Sequence, residues 1–295
     1  MDLGPLRYFV RSTPRSRGPG SAARSRPLGL IAVALLAMVS ACQAPAPADP
    51  AQQLADSAKR ISDTLRLAVV TQQDGNFTAA VGLYRKLLDD GADSVQVRLG
   101  LADSLLGTAD LDGALAQYNI AATMAPRDPK PELGLGRVYL VQKKPASALA
   151  SYDIALQDDP QNLVALNGKG VALDLMSRHE DAQRVYRQGL AIDPTDRDIR
   201  NNLGLSLVFS KKYQEAVTVL TTLAQDPDAT PRNRQNLALA LGLEGDKSNA
   251  EMVASRDLDS ADVANNLRYY DYIRTGGDAD AVTAQPLGPP ASANP

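Results

Sequence analysis

Residues 129–162 read PKPELGLGRVYLVQKKPASALASYDIALQDDPQN, and their pattern returns every 34 residues. Pro126, Pro160 and Pro194 are spaced at this interval, and six consecutive windows keep the same phase without an insertion. The windows are 61–94, 95–128, 129–162, 163–196, 197–230 and 231–259. Such a period predicts a chain of stacked supersecondary units, because one unit of this size cannot bury its apolar face alone.

Three positions within the windows, counted from the first residue of each, carry the pattern. Position 8 is always alanine or glycine, position 20 is always alanine, and position 24 is tyrosine in the first four windows. This pattern resembles the tetratricopeptide repeat, a pair of antiparallel helices. The resemblance implies an all-α fold: a right-handed superhelical solenoid of six 34-residue helix-turn-helix repeats. The prolines near the window ends are expected to stop each second helix, since proline lacks an amide hydrogen.

The segments that flank the repeats have different compositions. Residues 260–274, SADVANNLRYYDYIR, place Val263, Leu267 and Tyr270 on one helical face, which predicts a capping helix at the open end of the solenoid. Residues 275–295 contain several glycines and prolines without periodicity, and we expect them to be disordered.

The N-terminal segment 1–41 has the features of an export signal. The apolar run at 28–41 has no charge, follows six arginines and is too short to span about 30 Å of hydrocarbon. The run ends at the only cysteine of the chain, Cys42, after Val39, Ser40 and Ala41. This arrangement resembles the bacterial lipobox and implies that Cys42 is lipidated and becomes the first residue of the mature protein.

Two other interpretations of this region stay open. Cys42 is incidental if the signal peptide is an ordinary one, and the Arg- and Ser-rich start also has features of an organelle transit peptide. The basic region is long, so a true translation start downstream of Met1 also stays open. Under the lipoprotein interpretation, 42–49 is the lipidated cysteine with an Ala/Pro linker, and Gln43 favours sorting to the outer membrane.

Composition argues against several classes of function. One cysteine and one histidine supply neither a metal cluster nor a Cys/His catalytic pair, and no Gly-rich phosphate loop is present. We therefore expect no cofactor, no metal and no enzyme activity, and we expect His179 to be either structural or simply exposed. Without residues 1–41 the chain has 25 basic and 33 acidic residues, a net charge of −8 that disfavours nucleic acid as a partner.

Protein binding in a concave groove is the remaining function. The resemblance implies that positions 2, 5, 9, 12 and 13 of each first helix line that groove. The Lys and Asn residues with which chaperone adaptors hold a C-terminal carboxylate are missing at positions 5 and 9. The predicted groove instead contains an apolar stripe edged by amides: Leu140, Val141, Val171, Leu175, Leu205, Val208, Phe209, Leu239 and Leu243, with Asn167, Asn201 and Gln235. The alternative is that neighbouring helices or the chain's own tail cover part of this stripe.

The segment directly before the tail has a more specific likeness. Residues 234–274, with NLAL, a GD turn and NLRYY, resemble the C-terminal part of the tetratricopeptide lipoproteins of tight-adherence (Flp) pilus systems, the TadD family. The resemblance implies an assembly factor, or pilotin, for the outer-membrane secretin, anchored by lipid on the periplasmic face of the outer membrane. The alternative is a general scaffold for another secretion, exopolysaccharide or cell-wall machine.

Overall fold

The computed structural model describes residues 49–276, and this part of the chain consists of thirteen α-helices without a β-strand. The signal segment 1–41, Cys42, the linker 43–48 and residues 277–295 lie outside the described residues. The helices are α1 (Pro50–Gln73), α2 (Phe77–Asp89), α3 (Val95–Gly107), α4 (Leu111–Met124), α5 (Pro129–Val141), α6 (Pro145–Asp158), α7 (Leu163–Leu175), α8 (His179–Ile192), α9 (Arg197–Phe209), α10 (Tyr213–Ala224), α11 (Pro231–Glu244), α12 (Lys247–Ala254) and α13 (Ser260–Arg274).

The helices form six pairs followed by one single helix. Odd-numbered helices α1 to α11 are the first, or A, helices of the repeats, and even-numbered helices α2 to α12 are the B helices. Each A helix packs against its own B helix and against the A helix of the next repeat, so the A helices line the inner face of the solenoid. Helix α13 packs on α11 and α12 and covers the last repeat.

The turn from A to B has the same backbone conformation in all six repeats. Position 15 has positive φ: 77° at Gly75, 63° at Ala109, 56° at Lys143, 58° at Ser177, 60° at Lys211 and 107° at Gly245. The next amide donates to the carbonyl five residues back, as in the 2.8 Å bond from Lys144 N to Tyr139 O, which satisfies an otherwise unpaired helix-end carbonyl. Glycine is the residue that adopts this conformation without strain, yet only the first and last repeats have it.

The alanines and tyrosines of the repeat pattern form the core, as the sequence predicts. All six alanines at position 20 are fully buried, and the four tyrosines at position 24 are at most 2% exposed: Tyr84, Tyr118, Tyr152 and Tyr186. The B helices α4, α6 and α8 end two residues before Pro126, Pro160 and Pro194. The repeat period therefore sets both the packing and the length of the helices.

In repeats 2 to 4, a glycine at position 6 contacts the position-24 tyrosine of the preceding repeat. A Cβ atom added to Gly100, Gly134 or Gly168 would lie 2.2 Å from the tyrosine ring of the preceding repeat, far inside contact distance. The ring thus lies directly against the backbone of the next A helix. In repeats 5 and 6, Asn202 and Asn236 occupy this position.

The two ends of the array depart from the repeat. Helix α1 has 24 residues and begins at Pro50, where the Asp49 side chain accepts a hydrogen bond from Ala51 N. Helix α12 has only eight residues, so the sixth repeat is the shortest. Within residues 49–276 none of the helices has the length and apolar character that a membrane crossing requires.

Candidate protein-binding groove

The predicted groove residues lie on four A helices but differ in accessibility. Val141 is 49% exposed, and most of the others are half-buried: Leu140, Asn167, Leu175, Asn201, Leu205, Phe209, Gln235 and Leu239. Val171, Val208 and Leu243 are only 5% to 6% exposed. The structure corrects the expected stripe at these three positions, because their side chains are packed inside the array and offer almost no surface to a partner.

The amides of repeats 4 to 6 form cross-links between neighbouring A helices. Asn202 Nδ2 donates to Asn167 Oδ1 at 2.8 Å, and Asn236 Nδ2 donates to Asn201 Oδ1 at 2.7 Å. Each bond uses one polar atom of each side-chain amide, and Asn167 Nδ2 and Asn236 Oδ1 make no hydrogen bond to residues 49–276. Gln235 instead donates to the carbonyl of Ala254, at the end of α12.

A buried carboxylate connects repeats 4 and 5 behind this surface. Asp174, at position 12 of α7, is 3% exposed and accepts hydrogen bonds from Ser206 Oγ at 2.7 Å and Tyr186 Oη at 3.1 Å. The Nδ1 atom of His179 lies 2.8 Å from Oδ1 of the same carboxylate. Burial raises the pKa of Asp174, and the bonds to His179, Ser206 and Tyr186 oppose that rise.

His179 also adjoins the groove, since its ring centroid is 5.7 Å from that of Phe209. Asp174, Ser206 and His179 do not form a catalytic triad. The serine donates to the carboxylate rather than to the imidazole, and its side chain is fully buried. Asp174 was missed by sequence reasoning, because one charged residue on an A helix has no distinguishing pattern.

A depression of about 230 Å³ opens on the inner face of repeats 2 to 4. The lining residues at position 5 of the repeats, Leu99 and Leu133, are apolar, and those at position 9 are charged. The full lining is Leu99, Asp103, Tyr118, Lys130, Leu133, Arg137 and Val164. The depression is smaller than the sites of about 300 to 1,000 Å³ that hold drug-sized molecules. Sequence reasoning used Asp103 and Arg137 only to exclude the chaperone-adaptor clamp and did not bring them together.

The charges of the depression are arranged around one guanidinium group. Arg137 Nη2 donates to Asp103 Oδ1 at 2.6 Å and to Tyr118 Oη at 3.2 Å, and Tyr118 Oη donates to Asp103 at 2.5 Å. Burial raises the pKa of Tyr118, which therefore stays protonated. Arg137 Nε is buried without a partner, and Lys130 is exposed.

The groups along the inner face are suited to recognition of another molecule. Among residues 49–276 no group of three or more His, Cys, Asp or Glu side chains is placed to hold a metal ion. The surface combines half-buried apolar side chains, amides with free hydrogen-bonding groups and one basic depression. This combination suits an extended peptide, whose backbone and alternate side chains need partners of both kinds.

Comparison with known proteins supports the fold. Residues 65–129 and 133–197 match the family model of the tetratricopeptide repeat. A search of curated protein sequences gave no significant match.

Several solved structures share the architecture at low sequence identity. Pseudomonas aeruginosa pilF is 17% identical with a TM-score of 0.59, and the alignment covers 78% of this chain and 99% of that one. A tetratricopeptide repeat protein from Parabacteroides merdae is 13% identical with a TM-score of 0.56, over 72% of this chain and 84% of that one. YrrB, described as having an unusual peptide-binding site, is 16% identical with a TM-score of 0.51, over 63% and 97%.

At these identities the likeness concerns the fold alone. This chain, whose helices and turns recur with one period and whose repeats 1 to 4 match the family model, folds as a tetratricopeptide-repeat solenoid.

Proposed function

We propose that this protein is a lipid-anchored interaction scaffold that assists assembly of the outer-membrane secretin of a Flp pilus system. The array captures a segment of the secretin on its inner face, while the lipid on Cys42 holds the array at the periplasmic face of the outer membrane. The observation that carries the binding role is the inner face itself, where Asn167, Leu205 and Phe209 are half-buried on the neighbouring A helices α7 and α9.

The geometry of the inner face supports capture of an extended segment. The remaining polar atoms, Asn167 Nδ2 and Asn236 Oδ1, are available to a peptide backbone, and the half-buried Leu175, Leu205 and Phe209 supply apolar contact on α7 and α9. YrrB, whose architecture is similar, is described as having a peptide-binding site. The family match supports a protein partner in general terms.

The choice of a pilus secretin depends on two sequence features. Cys42 follows a signal-like segment, and residues 234–274 resemble the C-terminal part of the TadD lipoproteins. The second candidate function is a scaffold for another envelope machine. The repeats are equally compatible with it, because the repeat itself selects no particular partner. Neighbouring genes for a secretin and a pilus ATPase would favour the first candidate.

The groove is tested by co-precipitation of the secretin from native envelopes with the double variant Leu205→Ser/Phe209→Ser. Both side chains are half-buried on the inner face, and we expect secretin recovery to fall at least tenfold, because an interface core loses two apolar anchors. Ile154→Ser is the matched control, since Ile154 is exposed on the B helix α6. Undiminished recovery with the double variant would exclude this part of the inner face.

The anchor is tested separately with Cys42→Ser. We expect this variant to leave the membrane fraction, because only the cysteine sulfur accepts the lipid. Unchanged fractionation would remove the lipoprotein interpretation and leave the groove result untouched.

A further inference from the structure

We propose that the depression on repeats 2 to 4 receives an acidic side chain, from the middle of the partner segment, beside an apolar one. This inference rests on the proposed function in one respect: the inner face must bind a peptide. It adds the chemical class of the segment and its position on the array.

The size of the depression fits side chains of a peptide. A volume of about 230 Å³ is enough for a carboxylate and one neighbouring apolar side chain, but is below the usual range for a cofactor. Leu99, Leu133 and Val164 form the apolar wall, and Val164 is 57% exposed in the absence of a partner. An apolar side chain of the partner would cover that exposed surface.

The charge of the depression favours an anion. Lys130 and Arg137 face one carboxylate, Asp103, so the lining has a net charge of +1 within a chain that is acidic overall. Arg137 contacts Asp103 and Tyr118 through Nη2, and its Nη1 makes no hydrogen bond within the described part of the chain. Arginine binds carboxylates through more than one N–H group, so a second carboxylate can join without displacing the first.

The neighbouring surface indicates where the acidic group lies in the partner. Accessible groove extends from the depression through Leu140 and Asn167 towards repeat 5, and through half-buried Leu65 towards repeat 1. A segment with contacts on both sides must pass through the depression. The carboxylate therefore belongs to an internal aspartate or glutamate rather than to the end of a chain.

The test uses three synthetic nonapeptides and the full chain in detergent. The probes are acetyl-SLSLDLSLS-amide, the same peptide with asparagine at its centre, and that asparagine peptide with a free C-terminal carboxylate. We expect fluorescence anisotropy to give roughly tenfold tighter binding of the aspartate peptide, since a hydrogen bond to a charged group is worth about one decade in Kd. The preference should shrink in high salt.

Four variants assign the preference to the depression. Arg137→Gln should abolish it, and Lys130→Gln should reduce it roughly threefold, because an exposed cation contributes less. Asp103→Asn should strengthen binding of the aspartate peptide, since it removes the competing carboxylate. Lys144→Gln, in the exposed turn of the same repeat, should have no effect.

Circular dichroism establishes that each variant is folded. Equal binding of the aspartate and asparagine peptides, no binding below about 1 mM, or a preference that survives in folded Arg137→Gln would overturn the proposal. Binding of the free-carboxylate peptide as tight as the aspartate peptide would overturn the internal position. Secretin capture through Leu205 and Phe209 is measured independently, so either proposal can fail alone.

Discussion

The contacts between repeats 1 to 4 and those between repeats 4 to 6 are built on different chemistry, although the helices keep one period. In the first group the tyrosine at position 24 lies against a glycine of the next A helix, as Tyr118 lies against Gly134. No side chain at position 6 separates ring from backbone. These contacts depend mainly on shape and on burial of the aromatic ring. The bonds of Arg137 to Asp103 and Tyr118 add to the contact between repeats 2 and 3.

In the contacts between repeats 4 to 6, hydrogen bonds between side chains replace part of the aromatic packing. Asn202 replaces the glycine at position 6 and bonds to Asn167, and Asp174 joins Tyr186 to Ser206 of the next repeat. At the following contact Leu220 replaces the tyrosine. A polar contact is directional and leaves amide groups for a ligand, whereas an aromatic contact fills all available space.

The difference teaches that one solenoid can join its repeats by two kinds of contact while the period stays constant. The earlier repeats are held by ring-on-backbone packing, and the accessible amides lie further along the chain. Exchange of residues between the two groups tests this division.

Gly134→Asn brings the residue of the later repeats into the earlier contact and should have the largest effect. Its Cβ atom alone would lie 2.2 Å from Tyr118 Cε1, and Tyr118 cannot move away without leaving Asp103. We expect the free energy of unfolding in urea to fall by about 3 kcal/mol, the upper end of the range for overpacking.

Gly82→Ala is the matched control for this substitution. Gly82 lies in helix α2, and an added Cβ would have no neighbour within 4 Å. Alanine has the higher helix propensity, so this variant should gain about 0.5 to 1 kcal/mol. A loss at Gly82 as large as that at Gly134 would show that the contact with Tyr118 is not what makes a side chain costly at Gly134.

Most of the fold could be predicted from the sequence because its determinants recur. Alanine at position 20 appears six times and tyrosine at position 24 four times, and each of these side chains is buried. Glycine at position 6 also recurs, at Gly100, Gly134 and Gly168, but the reason for it is a contact with the tyrosine ring of the preceding repeat. Repetition in the sequence shows that a position matters, but it does not show which residue that position contacts.

The groove was harder to predict because its surface depends on the exact depth of each side chain. Position 9 is buried at Val171 yet half-buried at Leu205, although both are apolar and occupy equivalent sites. Asp103 and Arg137 are one period apart, so their ion pair follows from the repeat itself. The buried Arg137 Nε without a hydrogen-bond partner among the described residues, and the apolar wall of the depression, can be recognised only from the packed helices.

The amide cross-link between Asn167 and Asn202 should contribute a smaller stabilisation than the tyrosine contacts. Asn202→Ala removes a 2.8 Å hydrogen bond between half-buried groups, and we expect a loss of about 1 kcal/mol. A double-mutant cycle with Asn167→Ala isolates the pair, since the second substitution should cost little once the first partner is gone. Additive losses in urea denaturation would contradict a direct bond.

The buried Asp174 should make the later contacts depend on pH, which is the smallest of the three effects. Because burial raises its pKa, the native state holds the Asp174 proton more tightly than the unfolded state does. The resulting stabilisation is fully present below the ordinary aspartate pKa of about 4 and is lost as pH rises through the higher native value. Asp174→Asn has no such proton, so the stability of the natural chain relative to this variant should fall as pH increases across that window.

The imidazole beside Asp174 requires its own control, because it interacts directly with the carboxylate. His179 Nδ1 contacts Asp174 Oδ1 in the native state, so the comparison is repeated with His179→Gln in both chains. The decline should persist in that background, since its origin is burial of the carboxylate. Urea midpoints measured from about pH 4 upwards provide the test. A pH-independent difference between the chains would mean that the Asp174 carboxylate is no harder to ionise in the folded protein than in the unfolded one.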